Sequence, residues 1–216
     1  MPRRIKLGIL GGTFNPLHSG HLIVAQEAYL RLRLDKVIFI PAASPPHKLQ
    51  EDLVEAKHRL RMVALTLRND PRFLVSDMEI KRPGRSYTAD TLEELRRKYG
   101  PGAEIYLIVG SDTLDEFPTW KDFPRIALAA QIVVMARPGY PLEKIDDLKT
   151  ILGEDKVEEM KGLMLSGPLI RISASEVRRR LARGDSVRYL VPRTVERYIK
   201  KHKLYSYGKP QRSKTP

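Results

Sequence analysis

Short apolar runs alternate along the chain with longer stretches in which apolar residues recur every three or four positions. The runs predict buried strands at residues 5–10, 36–40, 73–75, 78–80, 105–109 and 132–136. The longer stretches predict helices at about residues 20–32, 54–67, 89–99 and 175–183, and a last one after residue 192. Strands without polar alternation are covered on both faces. The pattern therefore predicts an α/β fold, a Rossmann-like doubly wound parallel sheet with a small C-terminal helical part from about residue 173.

Local signals refine this outline. Thr88 is expected to cap the helix that follows it, and Pro192 suits the first position of the last helix. The charged segment 140–160 has few apolar anchors, which predicts a surface excursion with a helical turn around residues 145–152. We expect one domain over residues 1–205 and a basic, disordered tail over residues 206–216.

Composition limits the class of protein. The chain has 216 residues, of which 42% are hydrophobic, and this is enough for a sizeable core. It has no cysteine, and its first residues run into a strand without an apolar signal region, so the cytoplasm is the expected location. No apolar run approaches the roughly 18 to 20 residues that span a bilayer, so no membrane partner is expected. The sequence leaves open whether the protein forms a homo-oligomer.

The net charge of +13 is unevenly distributed. Residues 1–170 hold 25 Lys and Arg against 23 Asp and Glu, whereas residues 171–216 hold 14 against 3. The basic character therefore belongs to the C-terminal fifth, where part of it can face a phosphorylated ligand and the rest can form a solvated helix face. A nucleic-acid partner is the less favoured interpretation.

The segment between the first strand and the first helix indicates a phosphate site. Adjacent Gly11 and Gly12 let backbone N–H groups approach an anion, and the helix start adds free N–H groups and a positive dipole end. His18 and His21 lie three residues apart and can face one side of that first turn. An ionised triphosphate would fit there. The spacing matches neither GxGxxG nor a P-loop, and without cysteine or HExxH no zinc site is expected.

The other phosphate-directed residues point to one kind of chemistry. They are Lys48, in a Pro-rich loop after the second strand, with Ser173, Ser175 and Arg178 at the start of a later helix. Nothing marks a Ser-His-Asp unit or another activated nucleophile. Displacement at a nucleotide α-phosphate by a second phosphate needs no activated side chain, because the attacking phosphate oxygen is already ionised. Alignment and charge neutralisation, with a magnesium ion, are enough, so we infer nucleotidyl transfer.

Residues 11–21 resemble the signature of the HxGH nucleotidyltransferase superfamily. Further segments resemble bacterial nicotinate-nucleotide adenylyltransferases, namely residues 39–48, 86–92, 110–112 with Trp120, 137–139, 172–178 and 191–205. The resemblance covers about residues 5–205. It implies transfer of AMP from ATP to nicotinate mononucleotide, giving deamido-NAD and pyrophosphate, with Mg²⁺. Asn15 stands where the pattern often has Asp and Ala174 where it often has Ser, and Asn15 can still cap locally.

The resemblance also implies three groups of site residues. The catalytic group is His18, His21, Lys48 and Arg178, with His21 stabilising the α-phosphate in the transition state. The ATP-binding group is Gly11, Gly12, Thr13, Phe14, Gly110, Asp112, Ile172, Ser173 and Ser175. The group for nicotinate mononucleotide is Asn15, Tyr87, Thr88, Trp120 and Arg137. No residue is assigned to a metal.

Other interpretations stay open at this point. A superfamily relative could act on nicotinamide mononucleotide or another phosphorylated acceptor, although residues 86–88 and Trp120 argue against it. A protein of another class, a non-catalytic RNA-binding module, would account for the basic C-terminal region. Several candidates also have structural interpretations: Lys48 as an exposed lysine, Trp120 as a core residue, and Ser173 as a helix cap.

Overall fold

A five-stranded parallel sheet forms the centre of the molecule. The computed structural model describes residues 4–44, 53–168 and 171–206. The strands are β1 (Lys6–Gly12), β2 (Lys36–Pro41), β3 (Phe73–Val75), β4 (Glu104–Gly110) and β5 (Gln131–Met135). Their order across the sheet is β3-β2-β1-β4-β5, and every neighbouring pair is parallel. The predicted α/β fold with a doubly wound parallel sheet is confirmed.

Helices follow the strands on both faces of the sheet. Those in the described residues are α1 (Ser19–Arg31), α2 (Ala56–Leu67), α3 (Met78–Lys81), α4 (Thr88–Tyr99), α5 (Phe123–Ala129), α6 (Lys149–Leu152), α7 (Glu154–Gly162), α8 (Ala174–Arg183) and α9 (Arg193–His202). None of these helices is both long and apolar enough to cross a membrane.

Two hydrophobic cores lie on opposite faces of the sheet. In β2, Ile38 and Ile40 pack into one core and Val37 and Phe39 into the other, because successive strand residues point to opposite faces. The first core is completed mainly by α4, α5 and α7, and the second by α1, α2, α8 and α9. Burial on both faces explains why these strands lack polar alternation.

Two local predictions are corrected by the structure. Residues 78–80 are not a strand but belong to the one-turn helix α3, and the N–H of Met78 donates to Oγ of Ser76 at 3.4 Å. A segment of three residues carries no clear period, so strand and helix cannot be separated from it. Thr88 is the first residue of α4 and Tyr87 its N-cap, and Pro192 is the N-cap of α9 rather than its first residue.

Residues 140–160 fold more completely than predicted. A 3-10 helix (Leu142–Leu148), α6 and α7 occupy this segment, and it is anchored by the buried side chains of Ile145, Leu148, Val157 and Met160. Each of these four is no more than 1% exposed. Each pair, Ile145 with Leu148 and Val157 with Met160, lies three residues apart, so its members share one face of their own helix. Helix α5 was not predicted from the sequence either.

The strand order places a crevice between β1 and β4. From β1 the chain moves outward to β2 and β3, then crosses to β4 and β5 on the other side of β1. In open parallel sheets, the carboxyl ends of strands at such a reversal point separate and leave room for a ligand. The segments that follow β1 and β4 are the glycine loop, which we define as residues 11–18, and residues 110–113.

Candidate functional site

A cavity of about 430 Å³ opens at the carboxyl ends of β1 and β4. This volume lies in the range of small-molecule and cofactor sites. The predicted site residues that line it are Gly11, Gly12, Thr13, His18, His21, Tyr87, Thr88, Gly110, Asp112, Trp120, Arg137 and Ile172. After the ligands that the sequence predicts for them, we call the part formed by the glycine loop and α1 the nucleotide wall, and the part formed by Tyr87, Thr88 and Trp120 the acceptor wall.

His18 and His21 form a tightly coupled pair on the nucleotide wall. His18 is the N-cap of α1, and its backbone N–H donates to Nδ1 of His21 at 3.1 Å. In return, the N–H of His21 donates to the carbonyl oxygen of His18 at 3.0 Å. The two rings stack with their centroids 3.7 Å apart and their planes at 24°. The start of the helix therefore sets the orientation of both imidazoles.

The surroundings of His18 favour its neutral form. The residue is 5% exposed, and its Nδ1 is buried without a hydrogen-bond partner among the described residues. Burial, followed by the positive charge of Arg137, lowers the pKa of His18 to about 4. An imidazolium would place an unpaired N–H in this dry position. His18 is therefore uncharged near neutral pH.

The hydrogen bond to His21 also assigns its tautomer. Because Nδ1 of His21 accepts the N–H of His18, it carries no proton, and the neutral ring is protonated on Nε2. Phe14 supports this ring from the side, with the centroids 5.0 Å apart and the planes at 71°. Phe14 is 1% exposed and has a φ of 46°, in the left-handed region. It packs behind the cavity rather than lining it.

Two arginines hold the glycine loop from outside the cavity. Arg59 is fully buried and donates to the carbonyl oxygen of Thr13 at 2.7 Å. Arg178 donates to the carbonyl oxygen of Asn15 at 3.0 Å. Oδ1 of Asn15 in turn accepts the N–H of Val54 at 3.3 Å. Sequence reasoning did not identify Arg59, because nothing in a helical Arg pattern distinguishes a buried guanidinium from a solvated one.

An ion pair closes the side of the cavity next to β4 and β5. Nη1 of Arg137 lies 2.6 Å from Oδ2 of Asp112. The backbone N–H of Arg137 donates to Oγ of the buried Ser111 at 2.9 Å. Gly110 must be small here, because a Cβ would overlap Oδ1 of Asp112 and lie 2.7 Å from Cδ of Arg137. The glycine thus permits the ion pair to fold back over the strand end.

The acceptor wall contains a buried carboxyl group that sequence reasoning missed. Glu79, on α3, lines the cavity and is 8% exposed, and its Oε1 accepts the hydroxyl of Thr91 at 2.7 Å. Burial raises the pKa of Glu79 above its usual range. On the same wall, Nζ of Lys121 lies 4.4 Å from the centre of the Tyr87 ring. Trp120 packs edge-on against Phe117 at 5.1 Å.

Several predicted site residues do not line the cavity. Ser173 is the N-cap of α8, and its Oγ accepts the N–H of Glu176 at 3.2 Å. Ser175 is exposed on the same helix. Phe14 and Asn15 belong to the glycine loop without lining the cavity, and Arg178 lies beside the loop. Lys48 lies outside the described residues. The ligand contacts assigned to all of these residues stay predictions.

Comparison with known proteins gives one consistent result. A family model described as cytidylyltransferase-like matches residues 9–180. A probable nicotinate-nucleotide adenylyltransferase of Thermomicrobium roseum is 44% identical over 200 residues, covering 93% of this chain and 91% of that protein. The corresponding protein of Thermus thermophilus is 44% identical over 201 residues, covering 93% of this chain and 100% of its own.

A solved structure shows the same fold. Plasmodium falciparum nicotinic acid mononucleotide adenylyltransferase complexed with NaAD matches with a TM-score of 0.74 and 18% sequence identity. The match covers 94% of this chain and 98% of that one.

Proposed function

Because the chain belongs to the nicotinate-nucleotide adenylyltransferases, within the cytidylyltransferase-like family, we propose that it transfers AMP from ATP to nicotinate mononucleotide and forms deamido-NAD and pyrophosphate. One observation carries the proposal from family to site. The paired His18 and His21 line the same cavity as Tyr87, Thr88 and Trp120. A nucleotide and a second aromatic ligand can therefore meet in one enclosed space.

The reaction needs little from the protein in proton transfer. An ionised phosphate oxygen of nicotinate mononucleotide attacks the α-phosphorus of ATP. A new P–O bond forms there, the bond from the α-phosphorus to the bridging oxygen breaks, and pyrophosphate leaves with that oxygen. The protein's work is to align the two phosphates and to stabilise the charge on the oxygens of the α-phosphate. No residue has to act as a base.

His21 is the residue we place at the α-phosphate. The neutral ring carries its proton on Nε2, because Nδ1 accepts the helix-cap hydrogen bond. A donor fixed in this way loses little entropy when negative charge develops on the phosphate oxygens. His18 is neutral and stacks on His21. It adds a second imidazole next to the phosphate without adding a positive charge beside His21. Gly11, Gly12 and Thr13 offer backbone contacts to the remaining phosphate groups.

The other roles are those that the family resemblance implies. Asp112 and Gly110 would meet the ribose, and Arg137 would lie between the nucleotide and the acceptor. Tyr87, Thr88 and Trp120 would bind the pyridine side. Arg178, Ser173, Ser175 and Lys48 would serve phosphates, with Arg178 placed against the glycine loop by its bond to Asn15.

A divalent cation, Mg²⁺ in our proposal, accompanies ATP. The described residues contain no group of three or more His, Cys, Asp or Glu that could enclose a metal ion. This donor set fits a cation ligated mainly by phosphate oxygens and water, as is common for Mg²⁺. When bound, the cation neutralises charge on the triphosphate. The cytoplasmic location and a homo-oligomer stay predictions that the mechanism does not require.

The experiment that tests this function compares two acceptors. Purified protein is mixed with ATP, Mg²⁺ and either nicotinate or nicotinamide mononucleotide, and dinucleotide mass and pyrophosphate release are followed. We expect deamido-NAD from wild type, its near-complete loss in His21→Ala, and wild-type rates in His202→Ala, which changes an exposed histidine on α9. A higher kcat/KM with the amide would overturn the acceptor. Absence of product from both would overturn the function.

A further inference from the structure

Arg59 is a buried cation whose partners are backbone carbonyl groups. It is 0% exposed and is the largest fully buried side chain of the described core. Its Nε, Nη1 and Nη2 donate to the carbonyl oxygens of Val54, Thr13 and Ala43 at 2.7, 2.7 and 3.1 Å. No described carboxylate forms an ion pair with it. Burying a charge without a counterion is costly, so a packed apolar side chain would be the cheaper way to fill this space.

The three carbonyl groups belong to segments that form different parts of the site. Thr13 lies in the glycine loop and lines the nucleotide wall. Ala43 follows β2, and its own N–H donates to Oγ of Ser86 at 3.0 Å. The N–H of Ser86 donates back to the carbonyl oxygen of Ser44 at 3.1 Å. Ser86 immediately precedes Tyr87 on the acceptor wall, so a short chain of hydrogen bonds joins the two walls through one guanidinium.

We propose that Arg59 is a positioning residue that fixes the distance between the nucleotide wall and the acceptor wall, and so the alignment of the two reacting phosphates. The inference rests on the proposed function, because both walls must hold a substrate for this distance to matter. A planar guanidinium can donate in three fixed directions at once, whereas a lysine ammonium is a point charge on a flexible stem. In-line displacement is sensitive to this distance, since a misplacement of about 1 Å can cost on the order of 100-fold in rate.

Arg96 offers a matched control within the same chain. Its guanidinium also donates to backbone carbonyl groups, to Ala103 at 2.8 Å and to Ala129 at 3.0 and 2.8 Å. Ala103 precedes β4 and Ala129 ends α5 just before β5, so Arg96 joins segments at the amino ends of the strands. The cavity lies at the carboxyl ends. Arg96 therefore has the same structural function as Arg59 without its connection to the site.

The test compares Arg59→Lys and Arg59→Met with Arg96→Lys and Arg96→Met. For each variant, Tm is measured first, and then kcat and the KM values for ATP and nicotinate mononucleotide well below that Tm. We expect all four to lower Tm. The Arg96 variants should keep kcat within about two-fold of wild type, whereas Arg59→Lys should lower kcat at saturating substrates by about 10- to 100-fold. Because lysine retains the positive charge, this loss of kcat would come from the changed hydrogen-bond geometry and not from a lost charge.

Two results would overturn the proposal. One is wild-type kcat and KM values in folded Arg59→Lys. The other is failure of both Arg59 variants to fold while both Arg96 variants fold, which would make Arg59 a residue of stability alone. Failure of the proposed function has a separate signature, since wild type would then form no deamido-NAD. In that case the affinity for ATP is measured by calorimetric titration. If Arg59→Lys and Arg96→Lys bind ATP with equal affinity, Arg59 has no positioning role.

Discussion

The backbone N–H of His18 donates to Nδ1 of His21 across 3.1 Å, so Nδ1 completes the helix start and the neutral ring carries its proton on Nε2. The ring of His18 stacks on that of His21, with the centroids 3.7 Å apart. In the proposed mechanism, helix capping and ligand contact are the separate roles of the two nitrogens of this side chain. Substitutions at residue 21 can separate them.

His21→Asn and His21→Gln should fail in opposite ways. The side-chain oxygen of asparagine can accept near the position of Nδ1 but provides no donor at Nε2, whereas the longer glutamine amide reaches the Nε2 position. We expect His21→Asn to keep more stability and to lose roughly 100- to 1000-fold in kcat. His21→Gln should keep more activity and lose about 1 kcal/mol of unfolding free energy. Urea unfolding and steady-state kinetics measure both, and the reverse ranking would contradict the assigned tautomer.

The buried neutral His18 should make stability pH-dependent. Its pKa is about 4 in the folded protein, below the ordinary value of 6.5 that applies to the unfolded chain. As pH falls from 6.5 to 4, the unfolded state takes up a proton that the folded state does not. The stabilisation is therefore complete above pH 6.5 and is lost progressively toward pH 4, by roughly 3 kcal/mol.

His18→Asn isolates this effect, because its stability should fall less steeply than that of wild type over the same pH interval. Urea midpoints measured at half-unit steps give the two slopes. Other titrating groups act on both proteins and cancel in the difference. Parallel curves for wild type and variant would show that His18 keeps an ordinary pKa.

Gly110→Ala should damage nucleotide binding. Its Cβ would overlap Asp112 and press against Arg137, so the ion pair must move away from the strand end. We expect about a ten-fold or greater rise in the KM for ATP. Gly102→Ala is the control, since a Cβ there meets no atom within 4 Å. Unchanged kinetics in Gly110→Ala would mean that the ion pair has no part in holding the nucleotide.

Ser173→Ala separates helix capping from phosphate binding. Loss of the bond from Glu176 to Oγ should lower the unfolding free energy by about 1 kcal/mol. If Ser173 also binds phosphate, the KM for ATP should rise several-fold in addition. The exposed Ser175→Ala should leave stability unchanged, so any kinetic effect there would be a direct one. Equal stability of wild type and Ser173→Ala would contradict the cap.

The sheet could be predicted from the sequence because its strands are apolar runs bounded by turn residues, and burial on both faces is the physical cause of such runs. Residues 78–80 show the limit of this argument, since three residues carry no period. Helix α7 shows another. Val157 and Met160 anchor it within a charged segment, and their burial depends on packing beneath the first core rather than on local pattern.

The position of the glycine loop, His18 and His21 at one cavity could be predicted, because these residues are close together in the chain. The burial of Arg59 and Glu79 beside the cavity could not be predicted, because it depends on contacts with residues distant in the chain. Arg59 reaches Thr13, 46 residues away, and Glu79 reaches Thr91, 12 residues away. Neither side chain has a local signal that distinguishes burial from solvation.

The position of the cavity at the β1–β4 junction ties ligand binding to completion of the fold. Leu7 pairs with Ile105, so the two strands meet only after nearly half of the chain has been synthesised and a long loop has closed. Until then, a nascent chain carries both histidines but only one side of the crevice. With ATP bound at this junction, as proposed, nucleotide binding would report the pairing of β1 with β4, and ATP would favour the finished protein over forms in which the two strands are still apart.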